Sequence, residues 1–480
     1  MTFKPVILWT DALIYLLLVV VIIFAWYVRR NEHLLAPWRR VGHSVSGMMA
    51  LTVLILFISI GLLDTIHFRP SVQANGSTNN KIYGVQVLSL FDVIATPLRI
   101  NIEKTYSAPF ATHLYTRETI EFSEGKQVRE FPRLEFGGAH LRNPEEQFVA
   151  DVTWRTVAGL SLGLFVWSAF VILLVMLMAY RSGKEFMQTL SAILRNETEV
   201  PWNAVFRMLA LIFSLLGIAL SLSACYHIFG TDKVGQDVFY QSLKSIRTGL
   251  VIGTLTTLMM LPFALLLGIM AGYFRGWIDD VIQYIYTTLS SIPSVLLIAA
   301  TVLMMQVYME THPELFDTIA VRADLRLLFL CIILGVTSWT GLCRLLRGET
   351  LKIREMEYIQ AAHSFGVSHW RIISRHILPN VMHIVLIATV MDFSGLVLAE
   401  AVLSYVGVGV DPSMISFGTM INAARLEMAR EPMVWWALLS SFTFMFTLVL
   451  SANLFADAVQ DAFNPRVRTL SFINRKIVPR

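Results

Sequence analysis

The chemistry-bearing residues of this chain concentrate between Glu357 and Pro379, and their spacing suits docking more than bond making. Tyr358, Ala361, Ala362 and Phe365 recur at i, i+3, i+4 and i+7, which predicts one helical face. Glu357 and Gln360 fall among them on a mostly polar segment. Gly366 suits a left-handed helix stop. Trp370, Ile373 and Ile377 then predict the face of a second amphipathic helix, and Pro379 suits the opening of the next. Such a helix–turn–helix can lie on lipid, with Lys352, Arg371 and Arg375 at the headgroups, or be gripped by another protein. Periodicity alone leaves both open.

Catalytic signatures are absent. No glycine-rich loop with Lys and Ser/Thr is present to cradle a nucleotide phosphate, so ATP hydrolysis is not expected in this chain. No His-Glu-x-x-His or clustered Cys/His pattern suggests a metal, and neither a catalytic residue nor a bound cofactor is assigned. His363, His369, His376 and His383 read as interfacial. Cys225, Cys331 and Cys343 sit in or beside apolar runs and read as small packing residues. No nucleic-acid partner is expected.

Three further groups stand out. Gly230, Thr231, Asp232, Gly235 and Asp237 lie just before a long apolar run, where they can cap the following helix or form a tight turn; direct substrate contact is the alternative. Ser290, Ser291 and Pro293 mark a break inside another run, either a structural kink or a cavity wall. Glu400 is an acid within an apolar span, which is costly; it either lines a translocation path or bonds a neighbouring helix. Asp279, Asp280 and Asp392 raise the same question more weakly, the first two suiting a helix start.

The elements that must position these groups are membrane helices. Of 480 residues, 55% are hydrophobic and 15% charged, with positive mean hydropathy, which excludes an ordinary soluble domain. Nine apolar runs approach the roughly 20 residues that cross a bilayer: about 6–28, 44–63, 155–179, 205–228, 248–272, 280–307, 326–347, 380–404 and 433–456. Basic residues fill alternate loops: Arg29, Arg30, Arg39 and Arg40; then Arg181, Lys184 and Arg195; then Arg275; then Arg344 to Arg375; and finally the tail with Arg466, Arg468, Arg475, Lys476 and Arg480. The positive-inside rule therefore places the N-terminus outside and the C-terminus in the cytoplasm. Residues 1–28 lack a basic n-region and a cleavage site and read as a retained anchor. Residues 64–154 form a long hydrophilic insert. Within it Thr119–Phe122 and Gln127–Phe131 alternate as a hairpin would around Glu124-Gly125, the alternative being an irregular loop. Asn75-Gly-Ser77 matches a sequon and is assigned no role.

The order of motifs resembles the permease subunits of peptide/nickel ABC importers, of the dipeptide and oligopeptide branch. Ala361-Ala362, Gly366 and Ile377-Leu378-Pro379 match that family's coupling (EAA) loop, with Gln360 where glutamate is frequent. Phe229-Gly-Thr-Asp232-Lys-Val-Gly235-Gln-Asp237-Val is similar to its signature Gly-Thr-Asp-x-x-Gly-Arg-Asp-Val, with Gln236 replacing arginine. Ala271-Gly-Tyr-Phe-Arg-Gly-Trp277, Leu289-Ser-Ser-Ile-Pro293-Ser294, Thr337-Ser-Trp339, Leu398-Ala-Glu400 to Gly409 and Asp461-Ala-Phe-Asn-Pro465 follow in the family's order. The likeness covers roughly 229–469.

The resemblance implies an all-α polytopic membrane protein: a type I ABC importer permease core with an additional N-terminal membrane region and an extracytoplasmic insert. Its expected parts are two N-terminal transmembrane helices (1–63), a partly β insert (64–154), two further helices (155–228), the core (229–469) with its coupling loop at about 348–379, and a basic cytoplasmic tail (470–480). Either the span at 44–63 or that at 205–228 is the first core helix. The resemblance also implies a bacterial inner-membrane subunit that imports peptides or peptide-like solutes. Its partners would be a second permease subunit, two cytoplasmic ATPase subunits that bind ATP and magnesium, an external solute-binding protein and membrane lipid. The competing readings are an ATPase-independent transporter or channel, and a membrane sensor whose insert binds a ligand.

Overall fold

The computed structural model describes residues 3–72, 82–84, 86–121, 127–312, 314 and 318–463. The turn at Glu124-Gly125, the Asn75-Gly-Ser77 sequence, the Pro465-Arg466 pair and the basic tail lie outside the described residues.

Along the chain, β1 (Phe3–Val6) leads into α1 (Trp9–Arg30), the amphipathic α2 (Glu32–His43) and α3 (Val45–Thr65). The insert contributes β2 (His67–Val72), β3 (Ile82–Tyr83), β4 (Leu88–Ser89), two single-turn helices α4 (Leu90–Ile94) and α5 (Thr96–Ile100), and the strands β5 (Glu118–Glu121) and β6 (Gln127–Glu130). Helices α6 (Pro144–Ser182), α7 (Phe186–Leu194) and α8 (Trp202–Ser223) follow. Then come α9 (Val238–Phe274), α10 (Trp277–Ser291), α11 (Ser294–Thr311), α12 (Ile319–Arg354), α13 (Glu357–Ser364), α14 (His369–Ile372), a π-helical turn (Ile373–Ile377), α15 (Leu378–Val406), α16 (Phe417–Glu427) and α17 (Trp436–Phe463). The fold is mostly helical, and among the described residues eight helices are long and apolar enough to cross a membrane.

Two of the nine expected spans take a different form. The run at 280–307 is broken, because Ile292 is extended and Pro293 follows it, so α10 stops at Ser291 and α11 starts afresh. A residue before proline is disfavoured in the helical region, and proline has no N–H to continue the ladder. The run at 326–347 lies inside the 36-residue α12, which is not among those eight. Helices α6 and α9 also start about ten residues before their apolar runs, at Pro144 and Val238. Proline and two acids in the first turn of α6 favour that early start.

The chain divides into two compact units. One takes the described residues of 1–6, 38–248 and 415–455; the other takes those of 7–37, 249–414 and 456–463.

In the first unit β2 is flanked by β1, with Phe3 opposite Pro70 and Val6 opposite His67, and by β4, with His67 opposite Ser89. Both pairings are antiparallel. The alternating segments of the insert form the antiparallel pair β5–β6, Glu121 opposite Gln127. Helices α6 and α8 cross with their backbones nearly touching. A Cβ on Gly217 would lie 2.3 Å from the Gly159 carbonyl oxygen and 2.9 Å from the Gly163 nitrogen. Gly159 and Gly163 thus form a small-residue seam of the kind that lets membrane helices approach closely.

In the second unit, α12 forms the spine. Leu327, Leu330, Cys331 and Leu334 pack with Val251, Ile252 and Leu255 of α9, Ile298 and Val302 of α11, and Leu403 of α15. Nearer its C-terminal end Trp339, Leu342, Cys343 and Leu346 join Ile282 and Tyr286 of α10 and the buried isoleucines of the 357–379 loop. Cys331 and Cys343 are buried in these clusters as packing residues. The Thr10 amide and hydroxyl of α1 both donate to the Asp324 carboxylate.

Candidate functional site

The 357–379 loop leaves α12 at Arg354 and turns through Met356 into α13. After α13 the Phe365 amide donates to Ala361, Gly366 to His363 and Val367 to Ala362. Gly366 has φ of +74° with open space around it, so backbone conformation, not crowding, calls for glycine there.

The packing differs from the predicted stripe. Tyr358, Phe365 and Trp370 are 47%, 86% and 73% exposed, whereas Ile359 is buried. Ala361 faces outward, and Ala362 is partly buried against the apolar cluster with Val367 and Ile373. The anchor of α13 is therefore Ile359, which the stripe misses although it is the one large aliphatic residue of a polar helix. On the following segment Ile377 is fully buried and Ile373 partly buried, as the predicted face has them, but Ile372 is fully buried in place of Trp370. The cause is the π turn, in which the Leu378 amide reaches back to Ile373 and a five-residue spacing comes into register. Pro379 opens α15. Asn380 beside it donates to the Tyr358 hydroxyl oxygen at 3.2 Å, and the Gln360 amide donates to the Glu355 carbonyl. Glu357 is exposed in the first turn of α13.

The segment 229–238 is a folded knot before α9. Asp237 Oδ1 accepts from the Phe239 and Tyr240 amides at 2.8 and 3.1 Å, the helix-capping role expected of it. Asp232 Oδ1 accepts from the Val234 and Gln236 amides, both at 2.9 Å. Thr231 is fully buried; its hydroxyl donates to the Thr105 carbonyl and accepts from the Ser107 amide. Trp436 Nε1 donates to the Thr231 carbonyl. Gly230 and Gly235 both have positive φ, and a Cβ on Gly235 would strike the Glu103 backbone at 1.7 Å.

Two residues outside 229–238, His227 and Glu103, pack into this knot and escape sequence reasoning. His227 Nδ1 lies 2.7 Å from Asp237 and its Nε2 3.4 Å from Glu103, all three buried. Glu103 also accepts from the Glu135, Phe136 and Gly137 amides. Burial alone would push the imidazole down, but hydrogen bonds to Asp237 and Glu103 and their charges raise His227 to about 9. Burial likewise opposes ionisation of Glu103, yet His227 and the three amides hold it at about 2. His227 precedes the motif closely enough to be suspected; Glu103 carries no sequence signal.

Ser290, Ser291 and Pro293 are exposed at the α10–α11 break. Glu400 is 1% exposed, with the Ser404 hydroxyl donating to it at 2.7 Å. Among the described residues no group of three His, Cys, Asp or Glu is placed to hold a metal ion.

Broken apolar helices, a long spine helix and a helix–turn–helix with exposed aromatics describe a polytopic membrane protein. Residues 264–469 match the family described as binding-protein-dependent transport system inner membrane component. The oligopeptide transport system permease protein of Mycobacterium tuberculosis is 31% identical over 244 residues, 51% of this chain and 77% of that protein. The glutathione transport system permease protein of Pectobacterium atrosepticum is 28% identical over 316 residues, 60% of this chain and 98% of that protein. The dipeptide transport system permease protein of Bacillus subtilis is 29% identical over 242 residues, 50% of this chain and 69% of that protein. The chain belongs to this family of ABC-importer permease subunits: it is a multi-pass membrane protein and a transport component, not an enzyme.

Proposed function

We propose that this chain is one of two permease subunits of an ATP-driven importer for peptides or peptide-like solutes, forming half of the translocation path in a bacterial inner membrane. It works with a second permease subunit, two cytoplasmic ATPase subunits holding ATP and magnesium, and an external solute-binding protein. Its similarity to oligopeptide, glutathione and dipeptide transport permeases supports the solute class. Residues 229–469 form the core, and 64–154 form an extracytoplasmic domain clasped to it at the 229–238 knot.

The observation that carries coupling is the outward display of Tyr358, Phe365 and Trp370 on a loop held from behind by Ile359, Ile372 and Ile377. Exposed aromatics on a rigid mount are what a groove in a partner captures. Closure of the ATPase pair then moves the loop, and transmission is limited by the difference in docking energy between the two states. The charge pattern and the pairing of β1 with β2 support an N-terminus on the same side as the insert, outside, with the coupling loop in the cytoplasm. Gly366→Pro or Ala361→Arg is expected to abolish substrate-stimulated ATP hydrolysis by the assembled complex while the subunit still inserts. Normal stimulated turnover in both variants overturns the docking role.

A further inference from the structure

Behind the coupling helix the second unit holds a cavity of about 340 Å³, lined by Tyr273, Phe274, Arg354, Glu355, Ile359, Gln360, His363, Ser364 and His369. That size falls within the range of small-molecule sites, about 300–1,000 Å³. Its polar lining is dominated by donors. Glu355 is the lone carboxylate, and Arg275 forms an ion pair with it. Among the described residues Arg354, which lines the cavity, forms no ion pair; its guanidinium lies 6.0 Å from the centre of the Tyr273 ring. A guanidinium with no carboxylate partner is the side chain best suited to a phosphate.

The His369–Tyr273 pair adds a second donor whichever way its proton lies. The Tyr273 hydroxyl and His369 Nδ1 are 2.8 Å apart. If the phenol donates, the imidazole carries its proton on Nε2; if the imidazole donates, the phenolic proton is free to point elsewhere. The His363 ring lies tilted against that of His369, centres 5.6 Å apart, and supplies another ring nitrogen, with Gln360 and Ser364 also lining the cavity.

We propose that this cavity binds a phosphate-bearing anion, with Arg354 as its charge partner and His363, His369 and Tyr273 as hydrogen-bonding partners. Two sources share this chemistry: the headgroup of an anionic phospholipid and a soluble phosphate. Phe274, an aromatic residue of the cavity lining that is 38% exposed, is of the type that sits at a membrane–water interface.

The test uses the purified full chain, first in mild detergent with phosphatidylglycerol or phosphatidylcholine, followed by native mass spectrometry, and separately in phosphatidylcholine nanodiscs dialysed against radiolabelled orthophosphate. Retention of phosphatidylglycerol over phosphatidylcholine assigns the lipid source; saturable orthophosphate binding assigns the soluble one. In either case Arg354→Gln is expected to weaken binding by about tenfold or more, the loss of one charge-assisted contact. The His363→Ala/His369→Ala pair is expected to weaken it as well, whereas Arg354→Lys loses less and Arg371→Gln, on the exposed side of the loop, changes nothing. Binding of neither probe, or binding that Arg354→Gln leaves intact in a chain that still elutes as wild type, overturns the proposal. Binding is read on the isolated chain, so the result stands apart from ATPase docking.

Discussion

Nδ1 of His227 lies 2.7 Å from a carboxylate oxygen of Asp237, and the same Asp237 caps α9 through its other oxygen. The imidazole therefore joins the start of a long membrane helix to Glu103 in the insert. His227, raised from 6.5 to about 9, contributes stability fully below about pH 6.5 and loses it as pH rises through about 9. Glu103, lowered from 4.5 to about 2, contributes above about pH 4.5 and loses it as pH falls through about 2. Glu103→Gln is expected to cost about 3–5 kcal/mol near pH 6, the usual effect of removing one partner of a buried pair. The gap to wild type should narrow above pH 9. Thermal unfolding across pH in detergent checks both statements, and a pH-independent gap would count against the ion-pair account.

The seam between α6 and α8 predicts a steric effect with no charge in it. Gly217→Val forces a side chain into the backbone of α6 and is expected to destabilise by about 1–3 kcal/mol. Gly341→Ala, in a helix with nothing near its absent Cβ, should be neutral or slightly stabilising. Paired melting curves separate the two.

The coupling loop predicts opposite outcomes for two apolar residues six positions apart. Ile359→Ala removes a buried anchor and should cost about 2–5 kcal/mol of stability. Phe365→Ala should leave melting unchanged and still reduce substrate-stimulated ATP hydrolysis in the complex. Equal effects of both substitutions on stability would remove the distinction between mount and docking face.

Arg347 holds Asp279 through two bonds, Nε at 2.6 Å and Nη2 at 2.7 Å, tying α12 to the first turn of α10. Lysine cannot reproduce that fork. A double-mutant cycle of Arg347→Gln and Asp279→Asn is expected to return a coupling of about 0.5–3 kcal/mol, read from unfolding midpoints, while two additive substitutions would show the fork to be idle.

Much of this architecture is legible in the sequence because membrane spans depend on local composition. The helix stop at Gly366, the opening of α15 at Pro379 and the cap at Asp237 are equally local, and each is found where residue type places it. What escapes is set by distance or by a shift in register. Glu103 meets His227 across 124 residues, and no neighbour of Glu103 announces it. On the second loop helix Trp370 is misassigned and Ile372 missed, because one π turn changes the period from four to five. Ile292 and Pro293 break a run that hydropathy reads as continuous, since hydropathy scores side chains and the break lies in the backbone.

The strand at residues 3–6 has a consequence for biogenesis. Its partner, residues 67–70, is synthesised only after α1, α2 and α3, so the earliest described residues wait for two membrane helices before their edge is satisfied. Closure of that sheet is therefore a late event that reports on successful insertion of both helices. A fusion placed directly before Phe3 would extend an open strand edge and compete with that closure, whereas one placed beyond the last helix would leave it undisturbed.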